Sequence, residues 1–506
     1  MTKKNQESQA WRGFFGQKSK VGLGTPSGDT KGVPLTKHRG RVVHTIAGRV
    51  EVSDVGERGI SPTYSLRYFR ESVPKYEIPE EGMPAQAAYQ LVHDEMNLDG
   101  NAAFDLGSFT TTWMEPEAEK LIMENLGKNF IDRFEYPQTA EIHQRIVNML
   151  ARLFSAPPGS QFCGTATAGS SEAIMLGLLA HKWHWKKRRS GRGPGEPNIV
   201  FGADAHVCWD KFARYFDVEP RIIPMEKDRY FIDAGSVRTR IDENTIAVGA
   251  IMGTTFTGSC EPVKEINDLL VRVRQEKGWD IPIHVDAASA GFVLPFTDPG
   301  LEWDFRLDQV RSINVSGHKF GLVYPGLGWL IFKHRDDLPD DLVFYVNYLG
   351  DTMPTYTLNF SRGSDMILAQ YYNLLRLGRA GYRRVMRNCL QNAAYLAGLL
   401  AEAGKFEVLG TRQLPIVTFR FKEDPRFTPF QLAGKLRERG WMLPAYNLPD
   451  NAADMVVMRV VIRETFSRDM AENLFSDIMN AYRILDKTER QPLEPTISPR
   501  RGHHNT

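Results

Sequence analysis

The sequence predicts an α/β protein: a mostly parallel sheet with helices on both faces, followed by a smaller α+β unit. Three observations carry this. The 506 residues are too many for one small core. The central third alternates short apolar runs with helical patterns, which is the spacing of parallel strands and their crossovers. A second, shorter alternation begins near residue 414.

In chain order, residues 1–60 are rich in Gly, Lys, Arg, Ser and Thr and weakly periodic, so they read as a partly flexible extension able to order on a partner subunit. Helical periodicity starts with "MPAQAAYQLVHDEMNLDG" (83–100) and stops at Asp99-Gly100. "AEIHQRIVNMLARLF" (140–154) is a second amphipathic helix, ended by Ala156-Pro157-Pro158-Gly159. "GTATAGSSEAIMLGLLAHKW" reads as a small-residue loop feeding a helix, and "SGRGPGEPN" (190–198) as a loop. "IVFG" and "TIAVGAIMG" read as strands, with "HVCWDKFARYF" helical between them. "VKEINDLLVRVRQEKG" is a helix with a glycine stop, and "IPIHVDAAS" is a buried strand. Residues 365–404 are helical. "LPIVTFRF" (414–421), "FQLAGKLRERGW", "VVMRVVI" and "AENLFSDIMNAYRIL" then build the smaller unit.

Composition narrows the function classes. The chain is 42% hydrophobic and 25% charged, as an ordinary globular protein is. Sixty-three Lys and Arg against 61 Asp and Glu leave a formal charge of +2, too little for a global field that would hold nucleic acid or an anionic membrane. The basic run "KWHWKKRR" (182–189) ends an apolar helical pattern, where cations favour the helix dipole. Cys163, Cys208, Cys260 and Cys389 show neither metal-ligand spacing nor a disulfide framework, so no metal is expected and a reducing compartment is. "MTKKNQESQAWRGFFGQKSK" lacks the apolar core of a signal peptide, and no apolar run reaches the roughly 20 residues needed to cross a bilayer. A cytoplasmic protein is expected.

The chemistry is concentrated at two strand ends. Asp286 closes the apolar run of "IPIHVDAAS", where ligands of open parallel sheets gather. Lys319, in "SINVSGHKFGLVYPGLGW" (312–329), follows another apolar stretch. A partly desolvated lysine loses proton affinity and becomes nucleophilic toward carbonyls. Alone, Asp286 reads as a capping or salt-bridged carboxylate, and Lys319 as a phosphate contact or surface charge. Together they suit pyridoxal 5'-phosphate, the lysine as its Schiff-base anchor and the aspartate on its ring nitrogen. A phosphate cradle is available at Ser170-Ser171-Glu172, where small residues open a helix. Neither GxxxxGK[ST] nor a strand followed by GxGxxG occurs, which argues against a P-loop or a dinucleotide site.

"GSSEAIMLG", "CWDKFARYFDVE", "VDAASAGF", "SINVSGHKFGLVYPGLGW", "NFSR" and "VVMRV", in this order between about residues 83 and 485, resemble the pyridoxal phosphate-dependent glutamate decarboxylases. The resemblance implies an aspartate-aminotransferase-type fold with the active site at a dimer interface. It implies four segments: an N-terminal extension and arm (1–100), a large cofactor-binding domain (101–389), a small C-terminal domain (390–485) and a tail (486–506). Lys319 would carry the cofactor and Asp286 would pair with its ring nitrogen. Ala288 would pack on one ring face and His206 on the other, with Thr255 alongside. Ser170, Ser171, Ser316 and His318 would hold the phosphate, joined by Ser361 of the neighbouring subunit. Arg459 would bind a substrate carboxylate. Ser108 and the Phe109 backbone would meet the distal carboxylate, with Asp132 nearby across the dimer, and Tyr348 would lie on a mobile active-site loop.

The implied activity is decarboxylation of L-glutamate to 4-aminobutyrate and carbon dioxide by a homodimer at least, or a hexamer. His206 departs from the glutamine usual in glutamate decarboxylases, and Ser108 stands where some bacterial members carry threonine. The first departure leaves open another substrate: aspartate, cysteine sulfinate or an aromatic amino acid. An aldehyde lyase, an aminotransferase and a catalytically silent homologue are further alternatives; intact Lys319, Asp286, Ser170 and Arg459 argue against the last. The tail "RRGHHNT" offers His503 or His504 as a group that could close the site at neutral pH. No basic amphipathic helix with a buried Trp ends the chain, so no calmodulin site is expected.

Overall fold

The computed structural model describes residues 74–487 apart from 160–161, 191–194, 227–228, 349 and 351, together with the backbone of two strands within 42–53. The expectations for the rest of residues 1–60 and for His503 and His504 lie outside the described residues. The chain divides into two compact units, residues 1–97 and residues 98–506. The first holds an antiparallel hairpin of β1 (Val42–Ile46) and β2 (Arg49–Ser53), and helix α1 (Ala85–Met96).

The second unit opens with α2 (Pro116–Asn125) and α3 (Pro137–Leu153). Each has proline in its first turn, where no intrahelical N–H is needed. The alternation then appears as β3 (Cys163–Thr167), α4 (Ser170–Arg188), β4 (Asn198–Gly202), α5 (Cys208–Tyr215), β5 (Glu219–Ile223), α6 (Ala234–Arg238), β6 (Thr245–Ile251), α7 (Val263–Lys277), β7 (Ile283–Asp286), α8 (Leu294–Thr297), β8 (Val310–Ser316) and β9 (Gly328–Phe332). These strands form one seven-stranded sheet in the order β3-β9-β8-β7-β6-β4-β5. Neighbours from β5 through β8 are parallel, and β9 runs antiparallel to both β8 and β3. Every residue of β4, β6, β7 and β9 is buried, which explains their apolar runs, broken in β7 by His284 and Asp286. The expected glycine stop of α7 is Gly278, in the left-handed region at φ 72°.

A short hairpin of β10 (Phe344–Val346) and β11 (Met353–Thr355) precedes the long α9 (Asp365–Glu402), which kinks at Gly378. Beyond it, β12 (Phe406–Leu409), β13 (Ile416–Phe421), β15 (Val456–Val461) and β14 (Ala445–Asn447) form an antiparallel sheet in that order. α10 (Pro429–Arg437) and α11 (Arg468–Lys487) complete this part. α9 joins two hydrophobic cores, with Met386 in the one beneath the large sheet and Cys389 and Leu396 in the one beneath the small sheet.

One expectation is corrected: "GTAT", taken as loop, lies within strand β3. Its small residues are there for packing rather than for turning. A Cβ on Gly164 would come 2.6 Å from the Leu330 carbonyl oxygen, so the approach of β9 excludes a side chain. Among the described residues no helix is long and apolar enough to cross a membrane. None of them form a group of three or more His, Cys, Asp or Glu that could hold a metal ion.

Candidate active site

The carboxyl ends of β6, β7 and β8 and the start of α4 enclose a cavity of about 420 Å³. That is the size of a small-cofactor site. Asp286, the last residue of β7, is 5% exposed. Its Oδ1 accepts from the Ala288 N–H at 3.1 Å and from Asn314 Nδ2 at 2.9 Å, and its Oδ2 accepts from Trp209 Nε1 at 3.3 Å. Three N–H donors on one buried carboxylate is how a protein holds an anion away from water.

Lys319 lies just past β8 and lines the same cavity. Its Nζ donates to Ser289 Oγ at 3.3 Å and sits 4.8 Å from the centre of the Phe109 ring. Burial lowers its proton affinity, with Asp286 pulling in the opposite direction and Arg459 adding to the lowering. An amine so placed is a better nucleophile than an exposed lysine. Burial and the adjacent Lys319 push the His318 imidazole down to about 4. The neutral ring accepts from the Leu327 N–H on Nδ1 at 3.3 Å, leaving Nε2 as a donor.

The opposite wall is the N-terminus of α4. No side chain caps it, and Ser170 Oγ meets Ser316 Oγ at 2.7 Å. β9 crosses so close that a Cβ on Gly328 would lie 2.6 Å from the Ser170 nitrogen, which keeps the helix start bare of side chains. Uncapped N–H groups, two hydroxyls and an imidazole N–H make an anion cradle. Ser171, Thr255, Ala288 and His206 also border the cavity. His206 accepts from the Cys208 N–H on Nδ1 at 3.3 Å, and burial lowers its pKa.

A neighbouring groove of about 550 Å³ contains Ser108 and Arg459. Arg459, on β15, donates to the backbone carbonyls of Gly107 (2.7 Å) and Thr255. Its guanidinium lies 4.7 Å from the centre of the Phe109 ring, so one ring contacts both Arg459 and Lys319. Four residues singled out from the sequence do not line either space: Phe109, Asp132, Ser361 and Tyr348. Ser361 accepts from Asn129 Nδ2 at 3.4 Å, and Tyr348 stacks on Phe360 with centroids 6.3 Å apart.

Sequence reasoning missed Asn314, Trp209, Ser289 and Cys208. Asn314 had a readable signal: Ser312, Asn314 and Ser316 alternate with Ile313 and Val315, a polar face on a buried strand. Burial and Asp286 push the Cys208 thiol up to about 12, so it is inert.

A strand-end carboxylate, a desolvated lysine and an anion cradle around one small cavity define a pyridoxal phosphate-dependent enzyme, and the donor set fits that cofactor. Residues 74–422 match the pyridoxal-dependent decarboxylase conserved domain, and the chain belongs to the pyridoxal-dependent decarboxylase family. It is 50% identical to a glutamate decarboxylase of Petunia hybrida over 86% of this chain and 88% of that one. It is 47% identical to one of Aliivibrio fischeri over 84% and 92%. The solved glutamate decarboxylase of Lactobacillus brevis superposes with a TM-score of 0.82 at 40% identity, covering 84% of this chain and 98% of that one.

Proposed function

We propose that this enzyme decarboxylates L-glutamate to 4-aminobutyrate and carbon dioxide. Arg459 carries the reading. It is a guanidinium only 8% exposed, bonded to backbone carbonyls, with a buried Nε that has no partner. A buried cation one aromatic ring from Lys319 is a receptor for a substrate carboxylate. The glutamate decarboxylases at about half identity support the choice of amino acid.

When bound, pyridoxal phosphate supplies an electron sink for the pair left on Cα as the carboxylate departs. Asp286 would accept from the protonated ring nitrogen, and Ala288, His206 and Thr255, which border the cavity, would hold the ring. Ser170, Ser171, Ser316 and His318 hold the phosphate at the start of α4. Lys319 is the anchoring nucleophile, and its Nζ can later move a proton to Cα. Phe109 and Arg459 orient the substrate, and Ser108 with the Phe109 backbone meets the distal carboxylate. A site built for that charge is left unpaired by a neutral substrate.

The site is shared in a homodimer at least, with a hexamer as a higher assembly, and Asp132, Ser361 and Tyr348 act from its subunit boundary. Exposure of Phe134, Phe344, Tyr345 and Tyr348 supports a covered surface there. Residues 101–389 and 390–485 act as the large and small domains of a cytoplasmic protein. The test is carbon dioxide release with added pyridoxal phosphate from glutamate, aspartate, cysteine sulfinate and aromatic amino acids. Glutamate should be fastest. An aromatic substrate in first place would overturn the assignment and trace it to His206, which borders the cavity.

A further inference from the structure

Behind Asp286 lies a line of buried polar side chains with no role in the chemistry above. β7 and β8 are parallel, pairing His284 with Ser312 and Asp286 with Asn314. Side chains alternate along a strand, so His284 and Asp286 share one face of β7 and Ser312 and Asn314 share one face of β8. All except Asp286 are fully buried. His181 reaches the same place from α4, which packs over both strands.

The hydrogen bonds between them have one consistent direction. Asn314 Nδ2 donates to Asp286 Oδ1 at 2.9 Å, because the reversed amide would set an oxygen against a carboxylate. Its Oδ1 then faces His284 Nε2 at 2.9 Å. An amide oxygen only accepts, so that nitrogen carries hydrogen and the neutral ring's Nδ1 is bare. Nδ1 therefore accepts from the Ser312 hydroxyl at 2.7 Å, and Ser312 Oγ accepts from His181 Nε2 at 2.7 Å. Burial keeps both imidazoles neutral, His284 shifted down to about 4, as this assignment requires. α4 makes room for the line with a glycine in mid-helix: a Cβ on Gly177 would lie 2.7 Å from His284 Cε1.

We infer that His181, Ser312, His284 and Asn314 form a one-way hydrogen-bond relay that orients the Asp286 carboxylate toward the cofactor's ring nitrogen. Each bond polarises the next, and the last is charge-assisted. His284 and Ser312 are positioning residues that act through Asn314 and Asp286. The inference rests on the assignment of Asp286 to that nitrogen.

The experiment titrates pyridoxal phosphate into the full-length apo-protein and follows the visible band, with apo-protein melting recorded alongside. Ser312→Ala should weaken cofactor binding about 3- to 10-fold, the net worth of one hydrogen bond. Asp286→Asn should weaken it more, and Ser312→Ala added to Asp286→Asn should cost nothing further. Should Ser312→Ala not fold, His181→Leu replaces it, and His181→Gln, which keeps an N–H donor, should bind within about 2-fold of wild type. Unchanged affinity in Ser312→Ala, or effects that add in the double variant, would show a merely structural line and overturn the relay. Wild-type affinity in Asp286→Asn alone would overturn the cofactor role of Asp286 and the relay with it, an outcome distinct from the other two.

Discussion

The two sides of the site differ in how far one chain completes them. On the inner side, Asp286, Lys319, Ser170 and His318 project from strand ends and a helix start, and each has a partner from a different element. On the outer side, Tyr348 is 71% exposed and Ser361 is exposed on the segment before α9. Two groups link that segment to the interior: Glu172, whose carboxylate accepts from the N–H groups of Ala168 at 2.8 Å and Leu358 at 3.0 Å, and Arg362, which donates to the Ala166 carbonyl. The contrast separates two tasks. The inner groups sit where rigid elements hold angstrom-level geometry, while the outer ones sit on segments where the proposed second copy would finish closure and selection.

The largest effect should come from the inner side. Lys319→Ala should remove the visible cofactor band and lower decarboxylation by about 10³-fold or more, since it deletes both the anchor and a proton carrier. Turnover at the wild-type rate would break the comparison at its root, because no other amine lines the cavity among the described residues.

A smaller effect tests the outer side. Asp132→Ala should lower activity about 10- to 100-fold, as loss of a charged hydrogen-bond partner does. Exchanging subunits between Asp132→Ala and Lys319→Ala chains should then restore about one quarter of wild-type activity. Half of randomly paired dimers are mixed, and each mixed dimer holds one complete site. Activity that stays at the mean of the two parents would put Asp132 in the same chain's site, or in none.

The same contrast explains what was legible in the sequence. The strands β4, β6 and β7 announce themselves because burial on both faces demands mostly apolar residues. Asp286 and Lys319 stand out as charges at the ends of such runs. β3 was hidden because its close neighbour requires Gly164, and small residues read as loop. β5, Glu219–Ile223, is short, mostly solvent-facing and carries a proline, so it does not read as a strand, whereas β9 lies between Pro325-Gly326 and a charged run that could have marked it. The partners of Asp286 come from α5 and β8, far apart in sequence, so Trp209 could not be assigned to a carboxylate before the sheet order was known. Room for its indole comes from Gly249 on β6, where a Cβ would lie 2.4 Å from the ring. On the outer side, half-buried Asp132 and exposed Tyr348 and Ser361 were singled out by resemblance alone, since residues outside the core leave no periodic trace.

The smallest effect concerns what it costs to build the inner side. Two carboxyl groups, Asp204 after β4 and Glu261 before α7, are buried together beneath the cavity floor. Glu261 accepts from the N–H groups of Ile232 and Ile251, whereas Asp204 Oδ2 has no partner. Burial raises both pKa values, Asp204 to about 7, and the Asp204 charge raises that of Glu261 further. The folded protein therefore holds a proton that the unfolded chain releases near pH 4. Stability falls as pH rises from about 4 to about 7, and the full penalty is present above the folded value. Asp204→Asn keeps the shape and removes the charge. It should raise the melting temperature by about 1–2 °C at pH 8, with the gain shrinking as pH falls and vanishing near pH 4, where the folded and the unfolded chain both hold the proton. Melting curves of the two apo-proteins across that range decide it. A gain that grows toward low pH would mean that Asp204 is held as an anion, stabilised by the Arg229 cation, and that the inner side carries no such cost.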